Sequence, residues 1–98
     1  MAEVLRRIRG FQWDDGSAGK NERKHGVTDR ESEEIFFNEP LVIARSAKGS
    51  PEIRYAALGK TYGSRLLAGV FSIWANRIRV ISARPMSRKE RELYEEET

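Results

Sequence analysis

Two long strand-like runs joined by only two residues restrict the fold of this chain more than any other feature. Arg65-Leu66-Leu67-Ala68-Gly69-Val70-Phe71-Ser72-Ile73-Trp74 is apolar on both faces, and Arg77-Ile78-Arg79-Val80-Ile81-Ser82-Ala83 follows after Ala75-Asn76. So tight a turn argues for an antiparallel pair. Side chains alternate across a strand, so Ile78 and Val80 share the face turned to a core, and Arg77 and Arg79 share the opposite one. Arg84, before Pro85, falls with Ile78 and Val80 by strict alternation. Only a twist or bulge at the strand's exit would bring it round.

The remaining elements follow from local signals. Arg9-Gly10-Phe11-Gln12-Trp13 reads as a short first strand, with Phe11 and Trp13 on one face. Asp14 and Asp15 suit a helix start, because carboxylates favour the exposed amides there. That helix is expected to run to about His25 and stop at Gly26, although Gly16 and Gly19 weaken it. Thr28-Asp29-Arg30-Glu31 is a capping box opening a second helix through Phe37, which Asn38-Glu39-Pro40 ends. Leu41-Val42-Ile43-Ala44 and Arg54-Tyr55-Ala56-Ala57-Leu58 are strand-like and flank a loop that includes Ser46–Glu52. Gly59 to Ser64 reads as a turn, and a second capping box, Ser87 to Glu90, opens a final helix. The order β-α-α-β-β-β-β-α over residues 1–98 describes one α+β domain with an antiparallel sheet.

Charge narrows the partner. Residues 45–91 hold eleven Lys and Arg against two acidic residues, and four glutamates follow with no further base. Such a block points to an anionic partner, phosphate being the commonest. The chain has no cysteine, which excludes disulfides, thiolate metal sites and a thiol nucleophile. No segment has the length of a signal peptide core or a membrane span, so a soluble, cytoplasmic protein without a membrane partner is expected. One histidine and scattered carboxylates give no metal-ligand spacing, and no glycine loop of the triphosphate-binding kind is present, so no metal or cofactor is expected.

The residues available for chemistry are therefore cations and proton carriers. Arg77 and Arg79 stand on one strand face, Arg84 at its end, and Arg54 and Arg65 begin the two preceding strands. Guanidinium forks match phosphate oxygens and stabilise charge developing at a reacting phosphate. The bland alternative pairs these arginines with Glu31, Glu33 and Glu34. Lys24-His25 is the second cluster. Its imidazole suits proton transfer, although a basic residue at a helix end also complements the helix dipole. Tyr55, Tyr62 and Tyr94 are candidates for base stacking or for the edge of the core. Cleavage of RNA through its own 2′-hydroxyl would need only groups that position it, take its proton and neutralise the phosphate.

Phe11-Gln12-Trp13-Asp14, Asn21-Glu22-Arg23-Lys24-His25-Gly26-Val27, Arg54-Tyr55-Ala56-Ala57-Leu58-Gly59, Arg77-Ile78-Arg79-Val80-Ile81-Ser82-Ala83-Arg84, Ser87-Arg88-Lys89-Glu90-Arg91 and Tyr94-Glu95 together resemble the BrnT toxin family of the RelE-like group. The resemblance implies a RelE-like fold and the toxin of a type II toxin–antitoxin system. Such a toxin would be a metal-independent endoribonuclease that inhibits translation and growth. It implies neutralisation by a BrnA-like antitoxin, in a complex that binds operator DNA. On this resemblance Lys24, His25, Arg79 and Arg84 are catalytic and Arg54 and Arg77 bind RNA, and Arg65, from its place at the start of a strand, is expected to bind RNA beside them. Two readings compete with it. One is a non-catalytic nucleic-acid-binding or regulatory module using the same basic face. The other is a protein-interaction domain for an acidic partner.

Overall fold

The computed structural model describes residues 5–45 and 53–97, so the expected loop over residues 46–52 lies outside the described residues. The elements are β1 (Gly10–Phe11), α1 (Lys20–His25), α2 (Asp29–Glu34), β2 (Val42–Arg45), β3 (Tyr55–Lys60), β4 (Leu66–Trp74), β5 (Arg77–Pro85) and α3 (Arg88–Glu96). They form a mixed α+β unit around an open five-stranded sheet ordered β1-β5-β4-β3-β2. β2 to β5 make an antiparallel meander, but β1 lies parallel to β5, with Gly10 opposite Arg77. The expectation of a wholly antiparallel sheet is corrected at this edge. The chain passes through two helices and three strands between β1 and β5, ample length for a parallel return.

The sheet buries both faces unequally. On one face Val27 and Ile35, at either side of α2, pack with Ala57, Leu67, Phe71, Ile78, Val80 and Ala83. Phe36 meets Phe71 edge-on at 5.0 Å, and Tyr55 stacks on Phe71 at 5.4 Å. On the other face α3 lays Tyr94 over Leu58, Ala68 and Met86. The Tyr94 hydroxyl donates to the Pro40 carbonyl at 2.6 Å, and burial pushes its pKa up. α3 covers only that end of its face. Trp74, Arg77 and Arg79, at the other end, stay exposed.

Both capping boxes form as read, at Thr28/Glu31 and Ser87/Glu90. Each contributes about 1 kcal/mol to a short helix. The helices themselves are shorter than expected. The helix read from Asp14 to His25 breaks into a single turn capped by Asp14 and then α1, because Gly19 takes φ +72°. The second helix ends at Glu34, and residues 35–37 continue as turn. Gly59 and Lys60 were expected in a turn but extend β3. A Cβ at Gly59 would lie 2.8 Å from that of Ile35. Only glycine lets the end of α2 approach the strand so closely, so Gly59 reflects packing rather than chain reversal.

β5 contains the decisive irregularity. Phe71 pairs with Val80 but Val70 pairs with Ser82, which leaves Ile81 as an extra residue. This β-bulge reverses the alternation beyond it. Ala83 joins Ile78 and Val80 in the core, and Arg84 emerges exposed on the side of Arg77 and Arg79. The exception allowed at the strand exit is the geometry observed.

Candidate functional site

The edge of β5 beyond the two-residue β1 would expose unpaired backbone groups. The segment from Gln12 to Asn21 occupies them. The Gln12 amide donates to the Ile78 carbonyl at 2.9 Å, Lys20 Nζ donates to the Ile81 carbonyl at 2.9 Å, and the Ala83 amide donates to Asn21 Oδ1 at 3.1 Å. Satisfying that edge wraps the Asp14–Gly19 turn around β5 and creates a polar groove beside the sheet. The groove encloses about 210 Å3 and is lined by Asp14, Gly16, Ser17, Lys20, Arg54, Arg79, Val80 and Ile81.

Three cations therefore converge on one cavity, from α1, β5 and the segment entering β3. The single carboxylate facing them is Asp14, with Oδ2 3.6 Å from Arg79 Nη2. Hydrogen bonds from Ser17, the Gly16 amide and the Arg79 charge hold its carboxyl below the usual range. Both partners are about half exposed, so this long pair is a weak restraint on the guanidinium. Beneath the groove, Ser72 pairs with Arg79 in the strand register and is buried. Its Oγ has no hydrogen-bond partner, and neither does the buried Nε of Arg54. Unpaired buried polar atoms are costly in an interior.

The other residues singled out by sequence are placed differently. Arg77 is exposed on the face of Arg79, opposite Trp74, with no ion-pair partner among the described residues. Lys24 and His25 are exposed on the last turn of α1 and do not line the groove. Arg65 Nη1 donates to the Gly26 carbonyl at 2.8 Å and to the Glu31 carboxylate at 3.1 Å, tying β4 to the α1–α2 junction. Burial opposes ionisation of Glu31, but the Thr28 amide and Arg65 outweigh it and lower its pKa. Arg84 makes a two-pronged bond to Glu90, at 2.6 and 2.9 Å. That pairing raises the Arg84 pKa and depresses Glu90 to about 2.

Sequence reading missed Asp14 as a groove residue, seeing only a helix start. It missed Lys20 and Ser17 altogether. Asp14 closes one of the family-like motifs, which was the one available signal. Nothing local marks Lys20, whose position depends on how the Gly19 break directs α1. Tyr55 and Tyr94 are fixed in the packing described above, and only Tyr62 is exposed. The exposed aromatic next to the arginines is Trp74.

Three cations gathered beside the sheet suit an anionic ligand. Residues 13–90 match the family model described as ribonuclease toxin, BrnT, of type II toxin–antitoxin system. That match spans most of the chain, which belongs to this family of ribonuclease toxins. A toxin of such a system acts on RNA and is paired with an antitoxin. No curated protein sequence matches the chain significantly. No helix among the described residues is long and apolar enough to cross a membrane.

Proposed function

We infer that this protein is an endoribonuclease that cuts RNA in the groove between the Asp14–Lys20 segment and β5, without a metal ion. The observation that carries this reading is the convergence of Arg54, Arg79 and Lys20 on one cavity. Arg79 and Arg54 would grip the non-bridging oxygens of the scissile phosphate, the role for which a guanidinium fork is suited. Lys20 adds a third positive charge at the same cavity. As the 2′-oxygen gives its proton to water and bonds to phosphorus, the P–O5′ bond breaks and the leaving 5′-oxygen takes a proton from water, and the charge that builds on the non-bridging oxygens is met by fixed cations. Those cations supply the electrostatic stabilisation that a divalent ion provides elsewhere.

Arg77 continues the basic face and would bind a neighbouring phosphate. Lys24 and His25 on this reading meet RNA that leaves the groove, and Arg65 and Arg84 hold the scaffold on which the groove is built. Cleavage would lower translation and arrest growth. A BrnA-like antitoxin would silence it, in a complex that also binds operator DNA. Carboxylates presented to the groove would serve that antitoxin well, since they would satisfy the same three cations.

The test is direct. Antitoxin-free protein is incubated with single-stranded RNA in excess EDTA, and the product termini are analysed. Cleavage leaving 2′,3′-cyclic phosphate or 3′-phosphate ends is expected. Salt-sensitive binding with RNA intact after long incubation would instead support the non-catalytic nucleic-acid-binding reading.

A further inference from the structure

Trp74 is 65% exposed, an unusual position for the largest apolar side chain in a small domain. It ends β4, and the register sets it directly opposite Arg77. Ser72, two residues earlier, is opposite Arg79. The Trp74–Arg77 pair thus stands one two-residue step, about 7 Å, from the Ser72–Arg79 pair at the groove. That step is comparable to one nucleotide of an extended strand. The turn that follows holds Ala75 and Asn76 at φ +49° and +63°, a compact reversal that fits the two-residue hairpin and fixes where β4 ends.

We propose that Trp74 is a stacking platform for an unpaired nucleobase of the RNA substrate, adjacent to the phosphate held by Arg79 and flanked by Arg77. The proposal rests on the ribonuclease reading above and adds a substrate preference to it. A base paired within a duplex cannot offer its face to an indole, so the platform selects single-stranded RNA. Every base has a stacking face, so the platform contributes affinity with little sequence preference. Continuity with the cationic groove and the charge of Arg77 identify nucleic acid as the occupant, since an apolar protein partner would bury the unpaired Arg77 guanidinium beside the weakly paired Arg79 at this spot.

The experiment measures binding and cleavage of a single-stranded RNA oligonucleotide by wild type, Trp74→Ala and Trp74→Phe. A 2′-O-methyl version of the same oligonucleotide serves as the uncleavable probe for dissociation constants and for tryptophan fluorescence. Because Trp74 is exposed, Trp74→Ala is expected to unfold at the wild-type temperature. Its dissociation constant and KM are expected to rise roughly ten- to a hundredfold, with kcat changed less than threefold. Trp74→Phe should recover most of the loss. The salt dependence of binding should be unchanged in Trp74→Ala, since no phosphate contact is removed. Wild-type fluorescence should be quenched by the probe, and the quenching that remains in Trp74→Ala should be small.

Wild-type binding and cleavage by Trp74→Ala would overturn the platform while leaving the ribonuclease reading intact. So would a Trp74→Ala protein that keeps RNA affinity but loses its antitoxin, because Trp74 would then belong to a protein interface. Wild-type protein that neither binds nor cleaves the RNA would overturn both.

Discussion

Arg79 and Arg84 are the same residue type on the same face of the same strand, and the structure gives them opposite circumstances. Arg84 is clamped by Glu90, two nitrogens against two oxygens. Arg79 faces a cavity, with one carboxylate oxygen 3.6 Å away, and since the two side chains are equally exposed it is the partner that separates them. The difference comes from what lies next to each. Glu90 is held by the α3 capping box, a fixed structural acceptor placed beside the strand's end. Asp14 belongs to a turn that is satisfied mainly by its own Ser17 and Gly16 amides. A guanidinium with its fork filled contributes to the scaffold. One with its fork open can take a phosphate.

The comparison is sharpened first by Arg54, which shares the groove with Arg79. Arg54→Ala should lower kcat/KM for RNA about a hundredfold, measured by gel or fluorescent-substrate assay, with the melting temperature within a few degrees of wild type. A stable, fully active variant would place the phosphate elsewhere. At the clamped end the expected effect is on stability alone. Glu90 has its pKa depressed from 4.5 to about 2 in the folded state. Its ion pair therefore contributes fully above pH 4.5 and is lost as pH falls towards 2. Melting curves of wild type should fall across that window, and Glu90→Gln should show a shallower fall with unchanged ribonuclease activity at neutral pH.

Arg77→Ala should weaken RNA binding several-fold and reduce the salt slope of the binding constant by about 1, as loss of one phosphate contact requires. The smallest effect is expected at Asp14. Asn can still accept the Gly16 and Ser17 amides, so Asp14→Asn removes the negative charge and keeps the turn. RNA affinity should rise about two- to fivefold in titrations at low salt, and a fall would show that the carboxylate itself contacts substrate.

Much of this face could be read from the chain, and the limits have physical causes. Alternation alone put Arg77 and Arg79 outward and Ile78 and Val80 inward, because period two is a property of the strand itself. Arg84 could not be placed, since the bulge at Ile81 exists only in how β5 pairs with β4. The capping boxes were legible because both halves lie within four residues. Gly19 was seen as a weakness of a long helix, but whether it breaks one depends on the Asp29 carboxylate, which accepts the Gly19 amide at 3.0 Å. That break aims Lys20 at β5 and leaves Lys24 and His25 on the far turn of α1, a sorting that nothing in the Lys-Asn-Glu-Arg-Lys-His run announces. Tyr55 and Tyr94 were candidates for stacking that packing removes, whereas Trp74, read only as the end of an apolar strand, proves exposed.

On the proposed mechanism the two ends of the β5 face do different work, and one assay compares them. Antitoxin-free Arg79→Ala and Arg84→Ala proteins are tested side by side for cleavage of the same single-stranded RNA, with melting temperatures recorded for each. Arg79→Ala is expected to keep its melting temperature and lose at least a hundredfold in activity, whereas Arg84→Ala melts earlier and retains activity within about threefold. A folded Arg79→Ala protein with full activity, or an Arg84→Ala protein that is stable and inactive, would contradict it.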